Sequence, residues 1–208
     1  MRVMSCLLAS AMFLGALIAD DAASLQENTL PLTPSQQMLE LFIEPLGESL
    51  ENKDNLDLNY LRTLIAYHQG IINAAQFLLK HSQHQRVRAL ANTTIKAQTA
   101  EILYFQSLLP SLMEQKKLYS PKEVTLFNNH LKASSKEIKE SINELELDKN
   151  INRNFLLALV FHHQIALSFS QEILQYTQLE EIRTIAQDIL QLYEQDLESF
   201  HTLFTALR

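Results

Sequence analysis

The 208-residue chain has few of the residues that interrupt helices, with only three glycines (Gly15, Gly47, Gly70) and five prolines. That scarcity argues against a fold of many short strands and tight turns. Abundant Leu, Gln, Glu, Ala and Ile point instead to long helices. Tryptophan is absent and there is one cysteine, Cys6. The 17 Lys and Arg are outnumbered by 24 Asp and Glu, for a net charge of −7. No basic cluster exists to neutralise phosphates, which excludes nucleic acid as a natural partner. Long apolar runs are also missing beyond the N-terminus. The densest, Phe155 to Phe161, is far below the roughly 20 residues that cross a bilayer.

The first residues read as a secretory signal. Arg2 is a short positive region, Cys6 to Ala19 is apolar and uncharged, and Leu17-Ile18-Ala19 offers a cleavage site before Asp20-Asp21. An uncleaved anchor is the alternative. Cleavage after Ala19 removes the only cysteine, and with it disulfides, thiolate metal sites and a cysteine nucleophile. The expected organisation is a signal peptide over 1–19, a polar leader over 20–33 and one helical domain over 34–208. The mature protein is expected to be soluble and periplasmic or secreted.

Thr33-Pro34-Ser35-Gln36 and Ser120-Pro121-Lys122-Glu123 each combine an N-cap, a proline at the first helical position and a capping-box partner. Between and beyond them the apolar period predicts helices over about 56–81, 86–109, 121–147, 152–176 and 180–207. Pro45-Leu46-Gly47 ends the short first helix, and Pro110 bends or ends the third.

A shift of 95 residues lays Asn59–Leu112 on Asn154–Leu207 without a gap. Thirteen of those 54 positions are identical: His68-Gln69 recurs as His163-Gln164, Arg88 as Arg183, and Phe105 as Phe200. That exceeds what a shared helical period gives, so a helical hairpin used twice is expected. Hairpin repeats over 56–116 and 151–208, joined by a crossover helix over 121–147, pack naturally as a four-helix bundle.

The candidate site residues follow from hairpin geometry. His68 falls level with Ala97 and Gln98 on the returning helix, with Glu101 one turn on. His163 falls level with Leu192 and Tyr193, with Asp196 one turn on. Two imidazoles and two carboxylates in a dry bundle suit a divalent transition metal. The same residues equally suit a polar staple, in which each histidine donates to its own hairpin's carboxylate. His162 is adjacent in sequence, but successive helical residues point about 100° apart, which disfavours its sharing an ion with His163. Glu198 and His201 have Glu-x-x-His spacing, without the matching residues in the first hairpin that a di-iron site needs. His81 and His84 read as solvated turn residues and His130 as an exposed helix residue. No nucleophile with a nearby base and no glycine-rich phosphate loop is present, so nothing points to an enzyme.

Leu64-Ile-Ala-Tyr-His-Gln-Gly-Ile-Ile-Asn-Ala-Ala75, Val87-Arg-Ala-Leu-Ala91 and Ile95-Lys-Ala-Gln-Thr-Ala-Glu-Ile102 resemble the bacterial domain of unknown function 305 family. Its signature runs Met-Ile-Pro-His-His-Gln, then Asp-Met-Ala, then Ala-Gln and Glu-Ile followed by Met. The second copy resembles it through Leu159-Val-Phe-His-His-Gln164, Glu181-Ile-Arg-Thr-Ile-Ala186 and Asp196-Leu197. The resemblance implies a ferritin-like, exported protein, and in some members copper binding through histidine and methionine. Here the first motif histidine is Tyr67 in one copy and His162 in the other. The motif methionines are replaced by Leu64 and Leu159, Ala74 and Phe169, and Phe105 and Phe200. Copper(I) favours soft sulfur ligands, so copper(II) or zinc(II) is the expectation, with His68 and His163 as primary ligands and His162, Tyr67, Glu101 and Asp196 as helpers. The alternative is a structural or protein-interaction module without metal.

Overall fold

The computed structural model describes residues 31–47, 55–115 and 118–207. Every regular element among them is helical: α1 (Pro34–Ile43), a single 3₁₀ turn (Glu44–Gly47), α2 (Leu56–His81), α3 (Gln85–Glu114), α4 (Pro121–Asn143), α5 (Ile151–Ile173) and α6 (Glu180–Ala206). No helix among them is long and apolar enough to cross a membrane. The expected signal peptide and most of the leader lie outside the described residues.

Local chemistry sets the helix starts. Thr33 Oγ1 accepts from Gln36 N at 3.3 Å, and Gln36 Oε1 accepts from Thr33 N at 2.8 Å. Ser120 and Glu123 close the same box at 3.3 and 2.7 Å. Each box satisfies N–H groups that a helix start leaves without partners. Asn55 caps α2 through Leu58 N and also donates to Leu112 O at 2.8 Å, tying the start of α2 to the end of α3.

Three helix ends differ from expectation, among them that of α5, which stops at Ile173, short of residue 176. α3 runs through Pro110 to Glu114; the carbonyl that loses its partner belongs to Gln106, an exposed residue, where solvent can take the bond. α4 stops at Asn143, short of residue 147.

α2 is the hub, packed against α3, α5, α1 and α4, while α5 packs against α6. The α2–α3 and α5–α6 turns are closed alike. Arg88 Nη1 donates to Ser82 O at 2.8 Å, and Arg183 Nη2 donates to Thr177 O at 2.8 Å, 95 residues on. Ser82 Oγ and Thr177 Oγ1 accept from the backbone two residues later, at 3.1 and 3.2 Å. Where α1 crosses α2 there is no room for a side chain. A Cβ on Gly70 would lie 2.1 Å from Phe42 O.

The apolar core is in two parts. On α2 the first part ends at Tyr67 and the second begins at Ile71; on α5 the second ends at Leu159 and the first resumes at Ile165. His68 falls in the gap on α2, and His162 and His163 fall in the gap on α5. A polar layer therefore divides the bundle.

Candidate functional site

The polar layer is dry. His68 and His162 are fully buried, and His163, Gln98 and Tyr193 are buried to within a few percent. α2 contributes His68, α3 contributes Gln98 and Glu101, α5 contributes His162 and His163, and α6 contributes Tyr193 and Asp196. Glu101 is a third exposed and Asp196 about half exposed, so the layer meets solvent through its carboxylates.

Each repeated histidine meets the carboxylate of its own hairpin. His68 Nε2 lies 2.7 Å from Glu101 Oε2, a close contact without the alignment of a directed hydrogen bond. His163 Nε2 lies 3.2 Å from Asp196 Oδ2, and its Nδ1 lies 3.0 Å from Leu159 O. Both His163 nitrogens thus lie against acceptor oxygens. Tyr193 stacks on His163 with centroids 4.1 Å apart.

His162 joins the two hairpins, with its ring 5.2 Å from that of His68 and 5.3 Å from that of His163. Its Nε2 lies 3.2 Å from Gln98 Oε1. Gln98 Nε2 in turn donates to the Tyr193 hydroxyl at 3.1 Å, and that hydroxyl donates to Glu101 Oε2 at 3.1 Å. His162 Nδ1 and His68 Nδ1 are buried without a hydrogen-bond partner. Burial, then the neighbouring His68 and His163, hold the His162 imidazole well below its ordinary pKa, so the ring is neutral with a free lone pair. Burial likewise keeps the Tyr193 hydroxyl protonated, with Glu101 reinforcing it.

Hairpin levels read from sequence place Glu101 near His68, and Tyr193 and Asp196 near His163, as found. His162 and His163 are both buried. α5 is covered on several sides, so its buried arc takes in both rings. Tyr67 joins a different network: its hydroxyl donates to Ser135 on α4 at 3.1 Å and its ring meets Phe169 edge-on. Gln98 and Tyr193, placed level with the histidines by hairpin geometry but given no role in the site there, belong to the layer. They are themselves 95 residues apart and touch each other, a signal available from the repeat. Among the described residues no three or more His, Cys, Asp or Glu already surround one point. Of the other histidines, His84 caps α3 through Val87 N, His81 stacks on Phe77, and His130 bonds Ser168 at 3.1 Å.

A second buried polar junction sits at the start of α2. Tyr119 donates to fully buried Asp57 and accepts from Gln178 N at 3.2 Å, joining the N-terminal ends of α2 and α4 to the α5–α6 turn. Burial pushes the Asp57 carboxyl above the usual range, and its hydrogen bonds with Tyr119 and Thr177 only partly offset this.

A family model, Domain of unknown function (DUF305), matches residues 57–204. No curated protein and no solved structure matches the chain.

Proposed function

Because the chain belongs to the family Domain of unknown function (DUF305), we propose that it is an exported helical-bundle protein that holds one transition-metal ion, zinc(II) or copper(II), against His68 and His162. The carrying observation is the pair of dry imidazoles 5.2 Å apart with orphaned ring nitrogens. Two rings bound at one ion with metal–nitrogen bonds of about 2.0–2.1 Å have centroids about 5 Å apart at a tetrahedral angle. Neutral imidazole and carboxylate suit zinc(II) and copper(II), and the absence of sulfur from the layer disfavours copper(I). Met38 is buried in the second core part and Met113 lies on the surface. Glu101 and Gln98 stand behind the rings as outer-shell partners. His163 and Asp196 flank the pair, and Tyr67 takes no part.

The matched turn closures and the Gln98–Tyr193 contact support a ferritin-like bundle of two duplicated hairpins, since touching equivalent residues is what a two-fold relation produces. Export is supported by the N-terminal signal pattern of Arg2 and the apolar run to Ala19.

A second reading, a polar staple with no ion, is favoured by each repeated histidine meeting its own hairpin's carboxylate. Titration of the purified chain with zinc(II), copper(II) and copper(I) against a competing chelator decides between them. The metal reading expects one tight equivalent of zinc(II) or copper(II), lost in His68→Ala/His162→Ala and largely retained in His163→Ala. Absence of tight binding, or binding that survives the double substitution, leaves the staple.

A further inference from the structure

The first hairpin carries a groove at a place where the second is built from bulkier side chains. Beside the 3₁₀ turn, α2 and α3 line an open groove of about 520 Å³, with Ile65, Ala66, Ile102 and Leu109 as its apolar floor and Arg62 and Glu44 on its rim. That volume lies within the usual range for small-molecule sites. The residues 95 places on keep Ile65 and Ile102 aliphatic, as Val160 and Leu197, but turn Ala66 into Phe161, Leu109 into Phe204 and Arg62 into Leu157. Phe161 and Phe204 pack against the second core part. The second hairpin thus has two rings where the first has a methyl and an isobutyl group.

The arginines differ in the same direction. In the second hairpin Arg153 Cζ lies 4.0 Å above the Phe204 ring, and Arg153 Nε lies 2.8 Å from Asp148 Oδ2. That guanidinium has both a ring and a carboxylate. Arg62 is partly buried and has neither among the described residues, Glu44 on the same rim included. A guanidinium pairs its N–H donors with a carboxylate and stacks on ring faces, and partial burial strips its water without supplying a substitute.

We infer that this groove binds a small aromatic monocarboxylate, its ring over Ala66 and Leu109 and its carboxylate on Arg62. Ring and carboxylate are the two groups that Arg153 obtains from its own chain. Glu44 repels a second negative charge, which limits the guest to one carboxylate. No residue of the polar layer takes part, so this inference stands apart from the metal reading.

The probe is 3-phenylpropionate, titrated into the ¹⁵N-labelled full chain and followed by amide and arginine side-chain NMR. Saturable shifts are expected along the groove faces of α2 and α3 and at the Arg62 side chain. Propionate, which lacks the ring, and 3-phenylpropanol, which lacks the charge, should each bind at least about tenfold more weakly. Arg62→Gln, at a rim position, should weaken the acid by a similar factor and remove its advantage over the alcohol. Ala66→Phe, which copies the second hairpin, should abolish binding while keeping the urea midpoint at or above that of wild type. Wild type that does not bind the acid at millimolar concentration overturns the inference. So does acid binding that folded Arg62→Gln leaves unchanged, or acid and alcohol that bind wild type equally. Arg62 side-chain resonances that move in Glu48→Gln/Glu51→Gln without the probe would assign Arg62 to the chain's own carboxylates, and overturn it as well.

Discussion

Replacing Gly70 by alanine opposes two effects of known size. The exposed-helix preference for alanine over glycine favours the variant by about 1 kcal/mol. Against it, the new Cβ would lie 2.1 Å from Phe42 O and 3.1 Å from Phe42 C. Ordinary contact begins at 3.4 Å, so the carbonyl must retreat by 1.3 Å (3.4 − 2.1). The obstacle is the backbone of α1 and no side-chain rotation relieves it. α1 must therefore shift with Met38, Leu39 and Phe42, all buried in the second core part. Overpacking of this kind costs about 1–3 kcal/mol. Loss of α1 docking would add about 1.5–3 kcal/mol for each apolar side chain returned to water. Overpacking less the alanine preference leaves a net destabilisation of about 0–2 kcal/mol, which any loss of α1 docking increases. Urea unfolding followed by circular dichroism reads it as a lower midpoint, with a smaller slope if α1 is already detached before the transition. A midpoint above wild type, with unchanged slope, would refute the close approach of α1 to α2.

Three further outcomes are expected. The depressed His162 pKa means the unfolded chain takes up a proton that the folded one refuses. Its contribution is therefore full above about pH 6.5 and declines as pH falls, by up to about 1.4 kcal/mol per pH unit; urea midpoints from pH 7.5 to 5 should show the decline, and His162→Gln should flatten it. Asp57 acts in the opposite sense: its raised pKa stabilises the fold at low pH, and that contribution is lost as pH rises from 3.8 through the folded value. Asp57→Asn should thus lose less stability than the wild type between pH 4 and 7, and parallel curves would contradict the burial of its carboxyl. Arg88→Ala and Arg183→Ala each remove charge-assisted bonds to turn carbonyls and should each lower stability by about 1–2 kcal/mol; hydrogen exchange should quicken in the turn that was altered.

Most of the helical layout was legible because caps and apolar spacing are local. Thr33, Ser120 and Asn55 start helices through bonds no more than three residues away, so the starts of α1, α2 and α4 needed no tertiary information. The hairpin levels were legible too, since a short turn and a fixed rise per residue place Glu101 by His68 and Asp196 by His163. The role of His162 was not, because the 100° between successive residues does not tell which helices cover α5. Pro110 misled for the converse reason: its penalty depends on whether the orphaned carbonyl reaches water, which sequence does not record. The bridge from His162 to Glu101 runs through three helices, and a chain of that kind is visible only once α3 and α6 are placed over α5.

The divided core has a consequence for how the helices find their alignment. Apolar contacts alone tolerate sliding by a turn, since leucine meets leucine nearly as well one turn away. If the α2–α3 hairpin slid one turn against α5 and α6, His68 would leave His162, and Gln98 would leave His162 and Tyr193. Each misplaced polar group would then be buried without a partner, at about 1–3 kcal/mol apiece. The layer acts as a ruler that scores one register above its neighbours, as a lone buried polar position does in coiled coils. Replacing His68, His162 and Gln98 together with leucine should give a bundle that is no less stable, yet whose amide spectrum shows more than one alignment.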